Sequence, residues 1–171
     1  WGLWELRVFE TRVENLIVNV DSNNDGWVDT PENLNEARIR GAEFSAELNK
    51  GSWRVRPSVS YLEPEDKETG NQLPQRAKAS GTLDIRKRWS DRFDLGATVV
   101  AKGKRYNGVD NTEDQEMPAY GLLHLRGAYS LGEDWQIRVK ANNVLNTDYE
   151  TVKGYNQPGQ TYFVSVSYGA S

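Results

Sequence analysis

Apolar and polar residues alternate with a period of two along most of the chain. From Trp53 the odd positions read Trp53, Val55, Pro57, Val59 and Tyr61, and the even ones Arg54, Arg56, Ser58 and Ser60. The same pattern recurs in 77–89, 93–99, 122–130, 135–142 and 162–168. Successive side chains of a strand point to opposite faces, so each of these segments reads as a strand with one apolar face. Two less regular strands precede them, over about 2–18 and 35–49. Arg38 and Arg40 fall out of phase in the second, and Gly41 marks an expected bulge or change of environment. The expectation is an all-β, antiparallel fold of eight strands in a single domain over 1–171.

The connections alternate in length. Short turns fall at Lys50-Gly51, Ser90-Asp91 and Gly132-Glu133, and long polar loops at about 19–34, 63–75, 104–116 and 147–159. A soluble sandwich has no reason to place every long loop at one end. A transmembrane β-barrel with long external loops and short periplasmic turns does. Trp53, Trp89, Tyr129, Trp135 and Tyr168 fall on the apolar face beside the short turns, where an interfacial aromatic girdle belongs. The mean hydropathy of -0.76 does not oppose this, because a barrel strand hides its apolar half in the average. The sequence has no run of about 18 apolar residues, so it has no helix of membrane-spanning type. Counting loops back from the last strand, as it descends to the periplasm, puts all four long loops outside.

Several function classes are excluded. A net charge of -4 and a pI near 5.2 give no support for nucleic-acid binding. With no Cys and the single His124, neither thiol chemistry nor a Ser-His-Asp triad is expected. Asp84 and Asp94 lie among arginines on the polar face, where ion pairing suits them better than acid–base work, so the chain reads as no enzyme. From Trp1 onward the sequence shows no basic segment and no apolar h-region of an export signal, as expected for a mature form or a piece of one.

That polar face carries Arg54, Arg56, Lys78, Arg86, Arg88, Arg92, Arg126, Arg138 and Lys140 against Glu43, Glu47, Asp84 and Asp94. A closed eight-stranded barrel is only wide enough for its own side chains. Unpaired cations packed there would be costly, so a segment of a wider barrel is the better expectation. Two alternatives remain at this point: a self-contained eight-stranded barrel with a structural role, and a soluble β-sandwich that binds calcium.

The stretch 21–32 has the spacing of a twelve-residue calcium loop. Asp21, Asn23, Asp25 and Asp29 offer side-chain oxygens, Trp27 its carbonyl, Gly26 the sharp turn, and Glu32 a closing bidentate carboxylate. Calcium wants many hard oxygens around one point, which this spacing supplies. The loop joins two strands rather than two helices, and a solvated acidic turn is the simpler alternative.

Near the end, Asn143-Val144-Leu145-Asn146-Thr147-Asp148-Tyr149-Glu150-Thr151-Val152-Lys153-Gly154-Tyr155 resembles the conserved terminal region of TonB-dependent outer-membrane receptors. The extension Tyr149 to Tyr155, Pro158-Gly159 and the final strand look most like the cobalamin (vitamin B12) receptors of that family. The pieces 37–43 and 73–78 agree. The resemblance implies the last eight strands of a 22-stranded barrel in the outer membrane of a Gram-negative bacterium. It also implies a small-molecule substrate, cobalamin or a siderophore, and energy from TonB through a plug that these residues do not include. Transport by these residues alone is therefore not expected. In such receptors a basic pair precedes Ala-Lys in the loop at 63–78. Gln75-Arg76 stands there, so Arg76 is the implied substrate contact, with pairing to loop acids as its alternative role. The family's tyrosine in the next long loop has no counterpart near Asp110, and Gly169-Ala170-Ser171 replaces the usual terminal aromatic.

Overall fold

The computed structural model describes residues 2–20 and 30–169. In chain order its strands are β1 (Gly2–Val20), β2 (Thr30–Lys50), β3 (Trp53–Asp66), β4 (Ala79–Ser90), β5 (Phe93–Lys102), β6 (Arg105–Tyr106), β7 (Glu116–Met117), β8 (Tyr120–Leu131), β9 (Trp135–Asn142), β10 (Glu150–Val152), β11 (Tyr155–Asn156) and β12 (Thr161–Tyr168). Eight of them form one antiparallel sheet in the order β1-β2-β3-β4-β5-β8-β9-β12. The four short ones make two small hairpins, β6-β7 and β10-β11, inside the long loops.

The described residues thus hold twelve strands rather than the eight expected; the eight expected segments lie in one sheet, and among the described residues β1 and β12 are not paired with each other. The sheet is open there, and closure into a self-contained barrel is not what these residues show. The sandwich reading also falls, because among the described residues no second large sheet lies against the first. The loop expected at 19–34 is shorter, since β1 runs on to Val20 and β2 starts at Thr30 in register with it. No bulge occurs at Gly41, which pairs regularly with Phe9 and Leu62. A Cβ there would meet Leu62 Cδ2 at 2.6 Å and Phe9 Cζ at 2.8 Å, so glycine serves close packing instead.

Registers align the apolar faces across the sheet. One row of partners runs Leu48, Val55, Ile85, Ala97, Leu125, Ala141, Tyr162. These side chains are not a core in the soluble sense. Leu6 is 58% exposed, Leu125 44% and Val164 70%. The buried apolar residues, Leu73, Ala77, Met117 and Leu122 among them, sit instead at the long-loop end. A sheet that exposes its apolar face and buries apolar side chains only under its loops is built for hydrocarbon, not for water.

The aromatic girdle forms at the short-turn end. Phe93 faces Tyr129, and Trp135 lies between Leu131 and Tyr168, its ring 4.8 Å from that of Tyr168. The turns themselves are tight: Gly51 (φ 56°) follows Lys50, and Gly132 (φ 72°) follows Leu131, a backbone region that side-chain-bearing residues rarely enter.

On the opposite face four of the nine expected cations, Arg54, Arg56, Arg86 and Arg126, pair with acids among the described residues. Asp84 accepts from Arg56 at 3.0 Å and from Thr98 at 2.7 Å, and its second ion pair, with Arg126, is 2.7 Å. Arg86 grips Asp94 through two bonds of 3.1 and 2.8 Å. Gly96 leaves room for the Arg126 guanidinium, since a Cβ there would lie 2.7 Å from it. The out-of-phase pair on β2 is also matched, Arg38 by Glu65 and Arg40 by Glu10.

Candidate functional site

Three long loops lock together above the sheet. Asn71 Nδ2 donates to Val109 O at 3.0 Å, and the Gln72 N–H donates to Asn111 Oδ1 at 2.6 Å. The Gln75 N–H reaches Tyr106 O at 2.7 Å, and the Lys153 N–H reaches Asn107 Oδ1 at 3.4 Å. Gln75 and Asn111 both take positive φ, 59° and 54°, where the chain doubles back. Arg105, only 1% exposed, ties the second loop to the third by donating to the Glu150 carbonyl, and it lies against Tyr120, 5.4 Å from the ring centre.

The terminal motif shows why it needs asparagines. Asn143, buried and at φ 48°, accepts from the Thr147 N–H at 3.0 Å and donates to Thr147 O at 2.9 Å. Asn146 Oδ1 accepts from the Gln160 N–H at 3.1 Å, which pins the start of β12. His124 Nδ1 accepts from the Asn143 N–H at 3.3 Å, so the single histidine is a structural acceptor.

These constraints shape an open cavity of about 760 Å³ at the long-loop end. Pro74, Gln75, Arg76, Asn107, Lys153 and Tyr155 are among the residues that line it. Arg76 is half-buried, and its Nη1 donates to Pro74 O at 3.4 Å. Among the described residues no carboxylate pairs with it, and the acids of 21–29 lie outside them. Lys153, missed in the sequence reading, supplies a second cation. Only the fold of the β10-β11 hairpin brings it there, so spacing gave no signal. The cavity therefore offers two cations, several amides and a phenol to a polar, partly anionic molecule.

Loop electrostatics reinforce this frame. The Lys104 ammonium donates to Glu116 at 2.9 Å, which raises its pKa above the usual lysine value. Asp114 is held below the ordinary carboxylate range, chiefly by a hydrogen bond from the Thr112 side chain.

Of the candidate calcium ligands, Asp21, Asn23, Asp25, Trp27 and Asp29 lie outside the described residues. Glu32 is described, exposed on β2 opposite Val18. Among the described residues no group of three or more acidic or histidine side chains is placed to hold a metal. Two further side chains carry no signal in the alternation itself: Lys50 and Lys87 fall in the apolar phase of β2 and β4.

Comparison with known proteins gives consistent relatives. Residues 1–144 match the family model described as TonB dependent receptor-like, beta-barrel. A vitamin B12 transporter, BtuB, of Photobacterium profundum is 25% identical over 169 residues, covering 96% of this chain and 27% of that protein. Among solved structures, the siderophore receptor PiuA from Acinetobacter baumannii superposes with a TM-score of 0.80 at 20% identity, over 98% of this chain and 26% of that one. BauA, the ferric preacinetobactin receptor of the same organism, gives 0.77 at 21% identity, over 98% and 27%. The chain thus spans about a quarter of the length of the relatives it matches.

Proposed function

Because the chain belongs to the TonB-dependent receptor-like β-barrel family, we propose that it forms part of the wall and mouth of an outer-membrane nutrient receptor whose substrate is a cobalamin. Members of this family are Gram-negative outer-membrane proteins, and its homologues are receptors and transporters, not enzymes.

The observation that carries the substrate reading is the cavity where Arg76 and Lys153 meet the amides of Gln75, Asn107 and Gln157. A corrinoid presents a rim of neutral amides and one phosphate, which ask for amide partners and a cation or two. The similarity to a vitamin B12 transporter supports the same class. The long loops face outward in this reading, and the short turns face the periplasm.

Binding of cyanocobalamin to the folded chain in detergent tests it. Arg76→Ala removes a charge-assisted contact and weakens binding about tenfold. Equal affinity for the altered and unaltered chains would contradict the role of Arg76. Binding of a ferric siderophore but not of cyanocobalamin would move the substrate to that class. The described residues are wall strands and loops, and none of them forms a plug on which TonB could act. Cells lacking their cobalamin receptor should not regain uptake from them.

The loop 21–32 is proposed as a calcium site on the same external side, on the spacing of its oxygens alone.

A further inference from the structure

We propose that Lys50 and Lys87, on the lipid-facing side at the short-turn rim, bind the phosphate of an anionic glycerophospholipid whose acyl chain lies in a shallow trough across β5, β8 and β9. This rests on the reading that the apolar face meets lipid.

Register sets the geometry. Lys50 closes the β2-β3 hairpin opposite Trp53, and Trp53 in turn faces Lys87. The two lysines therefore flank one tryptophan on the apolar face. Lys87 Nζ lies 4.7 Å from the Trp53 ring centre and 3.6 Å from that of Trp89. Aromatic faces hold an ammonium without neutralising it. Among the described residues neither lysine has a carboxylate partner, although most arginines of the opposite face do. A cation on a lipid-facing strand is costly at mid-membrane and tolerated only near the interface, where the available anion is a lipid headgroup. Two neighbouring ammonium groups favour a headgroup of net negative charge, because a zwitterionic lipid brings its own cation.

The apolar side of the site is also shaped. A depression of about 560 Å³ runs from Trp53, Lys87 and Trp89 past Leu95, Gly127 and Val139. Its row of cross-strand partners is Lys87, Leu95, Gly127, Val139, Val164. Leu95 is two positions from the girdle residue Phe93, while Val139 is four from Trp135, so the row climbs away from the interface. Gly127 makes the floor: a Cβ there would press on Leu95 Cδ2 at 3.1 Å and Val139 Cγ2 at 3.3 Å. Lysines at the rim and an apolar trough rising from them fit one molecule with a charged head and a long chain.

The test uses the chain folded in phosphatidylcholine vesicles that contain a small fraction of lipid brominated near the head of its acyl chains. Bromine quenches tryptophan fluorescence on contact, and Trp53 and Trp89 stand beside the lysines. Brominated phosphatidylglycerol should be enriched at these rings over brominated phosphatidylcholine by about fivefold per lysine. The double variant Lys50→Gln and Lys87→Gln should abolish that preference while circular dichroism shows unchanged strand content. Equal quenching by both lipids in the unaltered chain would overturn the proposal and leave the membrane reading intact. A preference that survives in the double variant would also overturn it. No quenching by either lipid would sink the membrane reading itself.

Discussion

Replacing Leu125 by Arg separates the two faces of the sheet energetically. Leu125 lies in the apolar row between Ala97 and Ala141, six positions along β8 from Leu131, which pairs with the girdle residue Trp135. Strands of such barrels rise about 3.3 Å per residue and tilt about 40°, so six positions lift Leu125 roughly 15 Å above the girdle. That is near the middle of an apolar band about 25 Å tall. A charge at this depth costs about 2–4 kcal/mol. Thr82→Arg, on the polar face of β4 opposite Ser58, forfeits one hydroxyl contact of 2.8 Å and costs about 1 kcal/mol or less. Urea unfolding of the vesicle-embedded chain, followed by tryptophan fluorescence and by gel mobility without heating, measures both. Equal losses for the two variants would refute the assignment of faces. A larger loss for Thr82→Arg would invert it.

Asp84→Asn should cost more than the loss of one exposed pair, about 1–3 kcal/mol in the same unfolding assay, because Arg56, Arg126 and Thr98 all converge on this carboxylate. Asp25→Ala should remove a site that titration calorimetry detects at millimolar calcium, with unchanged strand content; no heat from the unaltered chain would leave only a solvated acidic turn. The loop 104–117 should loosen in acid. Asp114 has its pKa lowered in the folded state, so its contribution is present above the ordinary carboxylate range near pH 4 and is lost as pH falls through its lower folded value. Lys104 has its pKa raised, so its contribution holds up to the ordinary lysine range and fades above it. Amide hydrogen exchange at Asn107 and Gln115 at stepped pH reads both limits.

The wall was legible in the sequence because strand geometry forces a period of two, and lipid on one side makes that period nearly pure. Val55, Leu83, Leu95, Ile137 and Val164 share one face for this reason. The girdle was legible through the coincidence of aromatics with short turns. Gly41 misled, because a glycine inside a strand signals either a bulge or close packing, and only the positions of Phe9 and Leu62 decide. The mouth was legible only in part. Arg76 came from a resemblance, whereas Lys153 is brought to the same cavity by hydrogen bonds between residues far apart in sequence, such as Lys153 to Asn107. Loops have no periodicity to read, so their small hairpins and the buried Arg105 could not be foreseen. Lys50 and Lys87 were overlooked because a search for apolar alternation passes over its own exceptions, and those exceptions gather at the rim.

The central claim is that the apolar face contacts lipid, and spin-label accessibility tests it most directly. The chain has no native Cys, so single cysteines can be labelled without background. Labels at Val55, Leu83, Leu95, Ile137 and Val164 should be reached by oxygen dissolved in the bilayer and shielded from a water-soluble nickel chelate. Labels at Ser58, Thr82, Thr98 and Ser165 should show the reverse, with a period of two along each strand. Equal access of the nickel chelate to both sets would contradict the account.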